Sequence, residues 1–159
     1  PLQLKQRDIA DNLRQELQTN ALDPRTLKLE ITESVIMQDL NNSVRLLNEL
    51  RSIGVTLAID DFGTGYSSLS YLQKFPIDNI KIDRSFIWSM QAEDNNYTLV
   101  KTIANMAYNL NMQIIGEGIE TREQLELLQG LECSYGQGFY FSKPLPPEKM
   151  ENKLESISF

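Results

Sequence analysis

Three short stretches of this chain alternate apolar and polar side chains, and each runs into a carboxylate before the next helical segment. Residues 27–33 place Leu27, Leu29 and Ile31 on one face and Lys28, Glu30 and Thr32 on the other. Residues 78–83 do the same with Ile80 and Ile82 against Asn79, Lys81 and Asp83. Residues 112–120 carry Gln113 and Glu117 as polar positions and end in Glu120. A period of two marks a strand, and strands separated by helical segments and short turns make a parallel sheet. In a doubly wound sheet both faces lie under helices, so its strands are apolar throughout. A polar face repeated on successive strands belongs instead to a barrel whose functional groups gather at the C-terminal strand ends. The expected fold class is α/β, a TIM-type (β/α) barrel.

The segments between the strands read as helices. Residues 4–20 carry Ile9, Leu13 and Leu17 at spacings of four, and residues 39–53 carry Val44, Leu47, Leu50 and Ile53, with Gly54 closing the turn. A helix over 67–75 is stopped by Pro76, and one over 95–110 is built on Leu99, Ile103, Met106 and Leu110. Thr121 opens a helix over 123–129, residues 135–139 form a final short strand and turn, and a last helix covers 148–157. The 159 residues make one domain, 1–159, with room for five or six strands. A complete eight-stranded barrel takes about 250 residues. The expectation from length is an incomplete barrel missing its start, with open edges to be covered from outside or by self-association.

Composition narrows the chemistry. There is no histidine and one cysteine, Cys133, which argues against a structural zinc site and excludes histidine-dependent nucleophilic mechanisms. A net charge of -7 without a Lys/Arg-rich run disfavours a nucleic acid polymer or an anionic membrane as partner. No apolar run of membrane-spanning length and no signal-peptide pattern occurs. What remains is chemistry by carboxylates, a lysine, hydroxyls, amides or an oxygen-loving metal.

The densest stretch is Thr56-Leu57-Ala58-Ile59-Asp60-Asp61-Phe62-Gly63-Thr64-Gly65-Tyr66-Ser67-Ser68, an apolar strand ending in two adjacent carboxylates and a glycine-rich turn. Neighbours on a strand point to opposite faces, so one carboxylate is expected inward and the other sideways or outward. Glu30, Asp60, Asp61, Glu117 and Lys81 all fall at or near strand ends. Hard oxygen donors of this kind suit Mg²⁺ or Mn²⁺, and a pair of such ions serves phosphodiester hydrolysis. Taken singly, each has a structural reading: Glu30 pairs with Lys28, Lys81 with Asp60, and Glu117 and Glu120 flank a helix start.

Leu29-Glu30-Ile31-Thr32-Glu33, the stretch from Asp60 to Ser68, Lys81-Ile82-Asp83, Glu117-Gly118-Ile119-Glu120-Thr121 and Gln137-Gly138-Phe139 together resemble the successive motifs of EAL domains. These are bacterial cyclic di-GMP phosphodiesterases with a modified TIM barrel. The resemblance implies metal-dependent hydrolysis of cyclic di-GMP to linear pGpG with Mg²⁺ or Mn²⁺. It implies Glu30, Asp60, Asp61 and Glu117 as metal ligands, Asp61 reaching a second metal. Lys81 would contact the catalytic water, and Glu33 would brace the 60–68 loop, which in the family also shapes a dimer contact. Gln137, Asp83 and Glu120 would lie on the substrate side. The family's Glu-Ala-Leu string and the asparagine of its second strand, both ligand-bearing, do not occur in these 159 residues. The resemblance thus implies that the barrel's first two strands are the missing ones. The chain alone is therefore expected to be weakly active or inactive. The resemblance further implies a cytoplasmic domain, a homodimer, and upstream GGDEF or sensory domains in a parent that is membrane-anchored in some members. The alternative function is a noncatalytic cyclic di-GMP-binding or dimerisation module.

Overall fold

The computed structural model describes residues 8–65 and 69–156. The elements run α1 (Ile9–Thr19), a 3-10 turn (Pro24–Thr26), β1 (Lys28–Thr32), α2 (Glu33–Gln38), α3 (Leu40–Ile53), β2 (Thr56–Phe62) and α4 (Leu69–Leu72). They continue with β3 (Asn79–Ile82), α5 (Arg84–Trp88), α6 (Asn95–Asn109), β4 (Gln113–Glu117), α7 (Arg122–Gly130), β5 (Tyr135–Gln137) and α8 (Pro147–Ser156). All four strand pairings are parallel, in the order β1-β2-β3-β4-β5. This is the α/β arrangement expected of a TIM-type barrel, and among the described residues β1 and β5 are the sheet edges.

One face of the sheet packs under the helices. Leu57, Ile59, Ile80 and Ile82 are fully buried there, with Ile31 and Ile114 beside them. Against them lie Leu46, Leu47 and Leu50 of α3 and Val100, Ile103, Ala104 and Ala107 of α6. The face that α6 buries is shifted from the expected one: Ile103 is buried and Met106 and Leu110 pack against the core, but Leu99 is exposed, and the buried stripe begins at Val100 and uses two alanines. Small residues let a helix lie close to a sheet, and a count of large apolar side chains passes over them.

Helix ends follow the sequence. Asp39 accepts the Asn42 N–H at 3.2 Å, and Gly54 closes α3 with φ +102°. Asp94 accepts the Tyr97 N–H at 2.6 Å. Thr121 and Gln124 form a reciprocal capping box on α7. Two helices were not expected: α2 and α5 start at Glu33 and Arg84, directly beyond β1 and β3. The helix expected over 67–75 is only α4, ending at Leu72, and residues 66–68 lie outside the described residues. So do the first residues of the helix expected over 4–20 and Ile157 of the last one.

Cys133 packs against the core, and burial pushes its thiol up to about 11 from an ordinary 9.0. The folded chain therefore holds this proton between pH 9 and 11 while the unfolded chain releases it, so the group's contribution to stability is lost as pH rises through that window. Labelling of the native protein by a thiol-specific disulfide reagent is expected to be slow at pH 8 and to accelerate up to about pH 11. Rapid labelling at pH 8 without unfolding would contradict this burial.

Candidate active site

The polar face of the sheet converges on one ammonium group. The Lys81 side chain, on the central strand β3, is 5% exposed. It is ion-paired with Glu30 of β1, with Glu117 of β4, and with Asp60 Oδ1 of β2 at 3.0 Å. Burial works to lower the lysine pKa, but the adjacent carboxylates of Glu117, Glu30 and Asp60 outweigh it and hold the ammonium above its ordinary range. Exposure rises outward, from 17% at Glu117 to 24% at Asp60 and 40% at Glu30. Burial pushes the Glu117 carboxyl up, Lys81 opposes this, and Asp60 and Glu30 add to it. Glu117 Oε1 lies against the ammonium but off the direction of a well-aligned hydrogen bond and has no other partner among the described residues.

The adjacent aspartates do not follow the simple pleat. Ile59 pairs with Ile80 and Phe62 with Ile82, so β2 carries one residue more than β3 between these points. That is a β-bulge, and Asp61 within it adopts φ +54°. The bulge, rather than strict alternation, sets the direction of Asp61 while Asp60 faces Lys81. Asp60 Oδ1 also accepts the Asp61 N–H at 3.0 Å, and Thr64 Oγ1 donates to Asp61 O at 2.8 Å. Burial raises the Asp61 pKa, reinforced by Asp60 and Asp83 and opposed by Lys81 and Arg84. A left-handed non-glycine residue costs about 1–2 kcal/mol, and strained positions of this kind collect at functional sites.

Glu33, at the start of α2, is buried, and its Oε2 accepts the Gly63 N–H at 2.9 Å. A Cβ at Gly65 would approach Glu33 Oε1 to 2.7 Å, so the glycine-rich turn folds closely over this carboxylate. Asp83 caps α5, accepting the Ser85 N–H at 2.9 Å and the Ser85 hydroxyl. Glu120 is exposed, and its backbone N–H donates to Gln124 Oε1 at 2.8 Å. Gln137 is exposed on β5, in register with Glu117. Glu30, Asp60, Lys81 and Glu117 thus meet at one point, with Asp61 and Asp83 beside them, and Glu33 beneath the turn after β2. Two polar contacts escaped the sequence reading. Buried Asn79 donates to Gln113 Oε1 at 3.1 Å from the same face as Lys81, and Trp88 donates to Gly118 O at 3.0 Å.

The donor chemistry fits a hard divalent cation, being all carboxylate oxygen, with a buried Glu117 oxygen lacking a hydrogen bond. Among the described residues, however, no three acidic, histidine or cysteine side chains are gathered as a metal cage, and the ammonium occupies the centre of the three carboxylates. A bound cation would have to sit beside the lysine and take further ligands.

Fold and site define a class: parallel α/β barrels that gather carboxylates and a lysine at one end of the sheet. The chain belongs to the EAL domain family, whose model matches residues 1–144. Cyclic di-GMP phosphodiesterase NbdA of Pseudomonas aeruginosa is 40% identical over 151 residues, 95% of this chain and 19% of NbdA. MucR of the same organism, a bifunctional diguanylate cyclase/cyclic di-GMP phosphodiesterase, is 40% identical over 149 residues, 94% of this chain and 22% of MucR. The chain therefore spans about a fifth of these curated relatives. The PaMucR phosphodiesterase in complex with c-di-GMP superposes with a TM-score of 0.90 at 40% identity, covering 94% of this chain and 60% of that one. A manganese and cyclic di-GMP complex of Klebsiella pneumoniae BlrP1 matches with a TM-score of 0.81 at 32% identity, covering 89% of this chain and 36% of that one. No described helix is long and apolar enough to cross a membrane.

Proposed function

We propose that these residues form part of a cyclic di-GMP phosphodiesterase that opens the cyclic dinucleotide to linear pGpG with Mg²⁺ or Mn²⁺. The observation that carries this reading is the meeting of Glu30, Asp60 and Glu117 around buried Lys81, in a family whose solved members include complexes with the dinucleotide and manganese. Glu30, Asp60 and Glu117 would hold one cation, with Asp61 toward a second. A divalent ion bound there supplies Lewis-acid polarisation and charge neutralisation at the phosphodiester.

The remaining roles belong to the chain's own groups. Lys81 keeps its proton at Nζ across the working pH range, so it can orient an attacking water through a hydrogen bond and offset charge developing on the phosphoryl oxygens. Its burial keeps that charge effective by excluding bulk water. Glu33 holds the turn after β2 and thereby the bulge that aims Asp60 and Asp61. Gln137, Asp83 and Glu120 lie toward the dinucleotide. The reading extends to a cytoplasmic domain, a homodimer through the 60–68 loop, part of which lies outside the described residues, and GGDEF or sensory domains as chain partners.

The test is turnover of cyclic di-GMP with Mn²⁺, measured on the chain itself and on a fusion supplying a relative's Glu-Ala-Leu strand. With three carboxylates around an ammonium and no complete metal cage among the described residues, the chain itself is expected to be slow. The fusion should release linear dinucleotide, and chelator or Lys81→Ala should abolish the product. A metal-loaded fusion that binds the cyclic dinucleotide but never opens it would replace this reading with the noncatalytic binding module.

A further inference from the structure

The ladder between β3 and β4 ends one residue before the buried carboxylate. Its last register pair is Ile82 with Gly116, and Glu117 is the next residue. On its other side Glu117 remains in register with Gln137 of β5, and the chain beyond is held by Ile119 N–H to Gln137 O at 3.1 Å. On the β3 side Trp88 takes over from the ladder. Its indole N–H, from the short helix after β3, donates to the carbonyl of Gly118 at 3.0 Å.

Several features show a fitted contact. Gly118 adopts φ +70°, and a Cβ there would meet Arg84 Cβ at 2.6 Å and Trp88 Nε1 at 3.0 Å. The Arg84 guanidinium lies over the indole at 4.8 Å from the ring centroid, which fixes the ring plane while leaving the side chain half exposed. The elements joined are those that deliver the two most buried members of the charge cluster: β3 carries Lys81 and β4 carries Glu117. We propose that Trp88 is a positioning residue for the active site, holding the Gly118 carbonyl so that the Glu117 carboxylate stays aimed at Lys81 and the adjoining cation position. This rests on the phosphodiesterase reading for what Glu117 does, but the clamp itself can be read independently.

Trp88 is the only tryptophan in the chain, so its indole N–H gives a single nitrogen-15 NMR signal and the residue can be replaced globally by an analogue. The test compares wild type, Trp88→Phe, and protein carrying the benzothiophene analogue of tryptophan, which keeps shape and stacking and lacks the N–H. Outer partners of metal ligands are worth roughly 10–100-fold in affinity. A loss of about tenfold in Mn²⁺ affinity, followed by the free-ion electron spin resonance signal, is expected in both altered proteins with an unchanged melting temperature. In the active fusion described above, kcat should fall while KM for cyclic di-GMP holds. Unchanged Mn²⁺ affinity in the analogue protein would overturn the proposal, even if Trp88→Phe failed to fold. Should wild type bind no Mn²⁺, the cation reading fails, and the clamp is then judged by solvent exchange of the indole proton. Slow exchange upholds the clamp, and exchange as fast as that of an exposed tryptophan overturns it.

Discussion

Replacing Lys81 by methionine is expected to destabilise the folded chain by about 3 kcal/mol at neutral pH, the lower end of the range for breaking a buried ion pair. Methionine approximates the length of the lysine stem, so the loss isolates the charge. Without the ammonium, Glu117 and Asp60, which are 17% and 24% exposed, face each other and Glu30 uncompensated. Glu30 is 40% exposed, and solvent screens much of its share, which argues for the lower end. Urea unfolding of both proteins at pH 7 and pH 5 measures it.

The pH dependence distinguishes charge from packing. Lys81 has a folded pKa raised above its ordinary 10.5, so its stabilisation is fully present below 10.5 and lost only as pH rises through the folded value. In the methionine variant Glu117, whose carboxyl is already raised by burial, has no cation to oppose that shift. Its penalty is fully present above its folded pKa and relieved as pH falls and it protonates. The gap between wild type and variant should therefore shrink from pH 7 to pH 5. An equal gap at both values, or one below 1 kcal/mol at pH 7, would mean that Lys81 is not the counter-charge of this cluster.

The sequence made β1 and β3 readable because each turns a polar face to the site and an apolar one to the helices. Leu29 and Ile31 against Lys28 and Glu30, or Ile80 and Ile82 against Asn79 and Lys81, leave a period of two that no helix reproduces. Helices α2 and α5 were not readable for a physical reason: six and five residues make under two turns, too few to establish a 3.6-residue period. The site lysine and its carboxylates could be listed from strand ends, but their meeting point could not. It depends on the bulge between Ile59 and Phe62, where an aspartate rather than a glycine takes the left-handed conformation. Trp88 left no signal either, since its partner is a backbone carbonyl 30 residues away.

Gly138→Ala is expected to cost about 3–5 kcal/mol and to remove cation and dinucleotide binding together. A Cβ at Gly138 would collide with the backbone O and N of Ile119, atoms that cannot rotate aside as a side chain can. Overpacking typically costs 1–3 kcal/mol. The collision would also break the close approach that lets Ile119 N–H reach Gln137 O at 3.1 Å and Tyr140 N–H reach Ile119 O at 2.9 Å, each worth about 1 kcal/mol. Ile119 is fully buried, so it cannot retreat without opening the core. Gly130→Ala is the control. Nothing lies within 4 Å of a Cβ there, and alanine in a helix gains up to about 1 kcal/mol over glycine. At about 2–4 °C per kcal/mol for a chain of this size, Gly138→Ala should melt on the order of 10 °C below wild type and Gly130→Ala slightly above it. The functional loss follows from position: Ile119 ties the chain leaving Glu117 to Gln137, so displacing it moves at once the carboxylate proposed for the metal side and the amide proposed for the substrate side. Melting within 2 °C of wild type with Mn²⁺ binding intact would show that the β4 exit can yield, and that Gly138 does not hold the two sides of the site together.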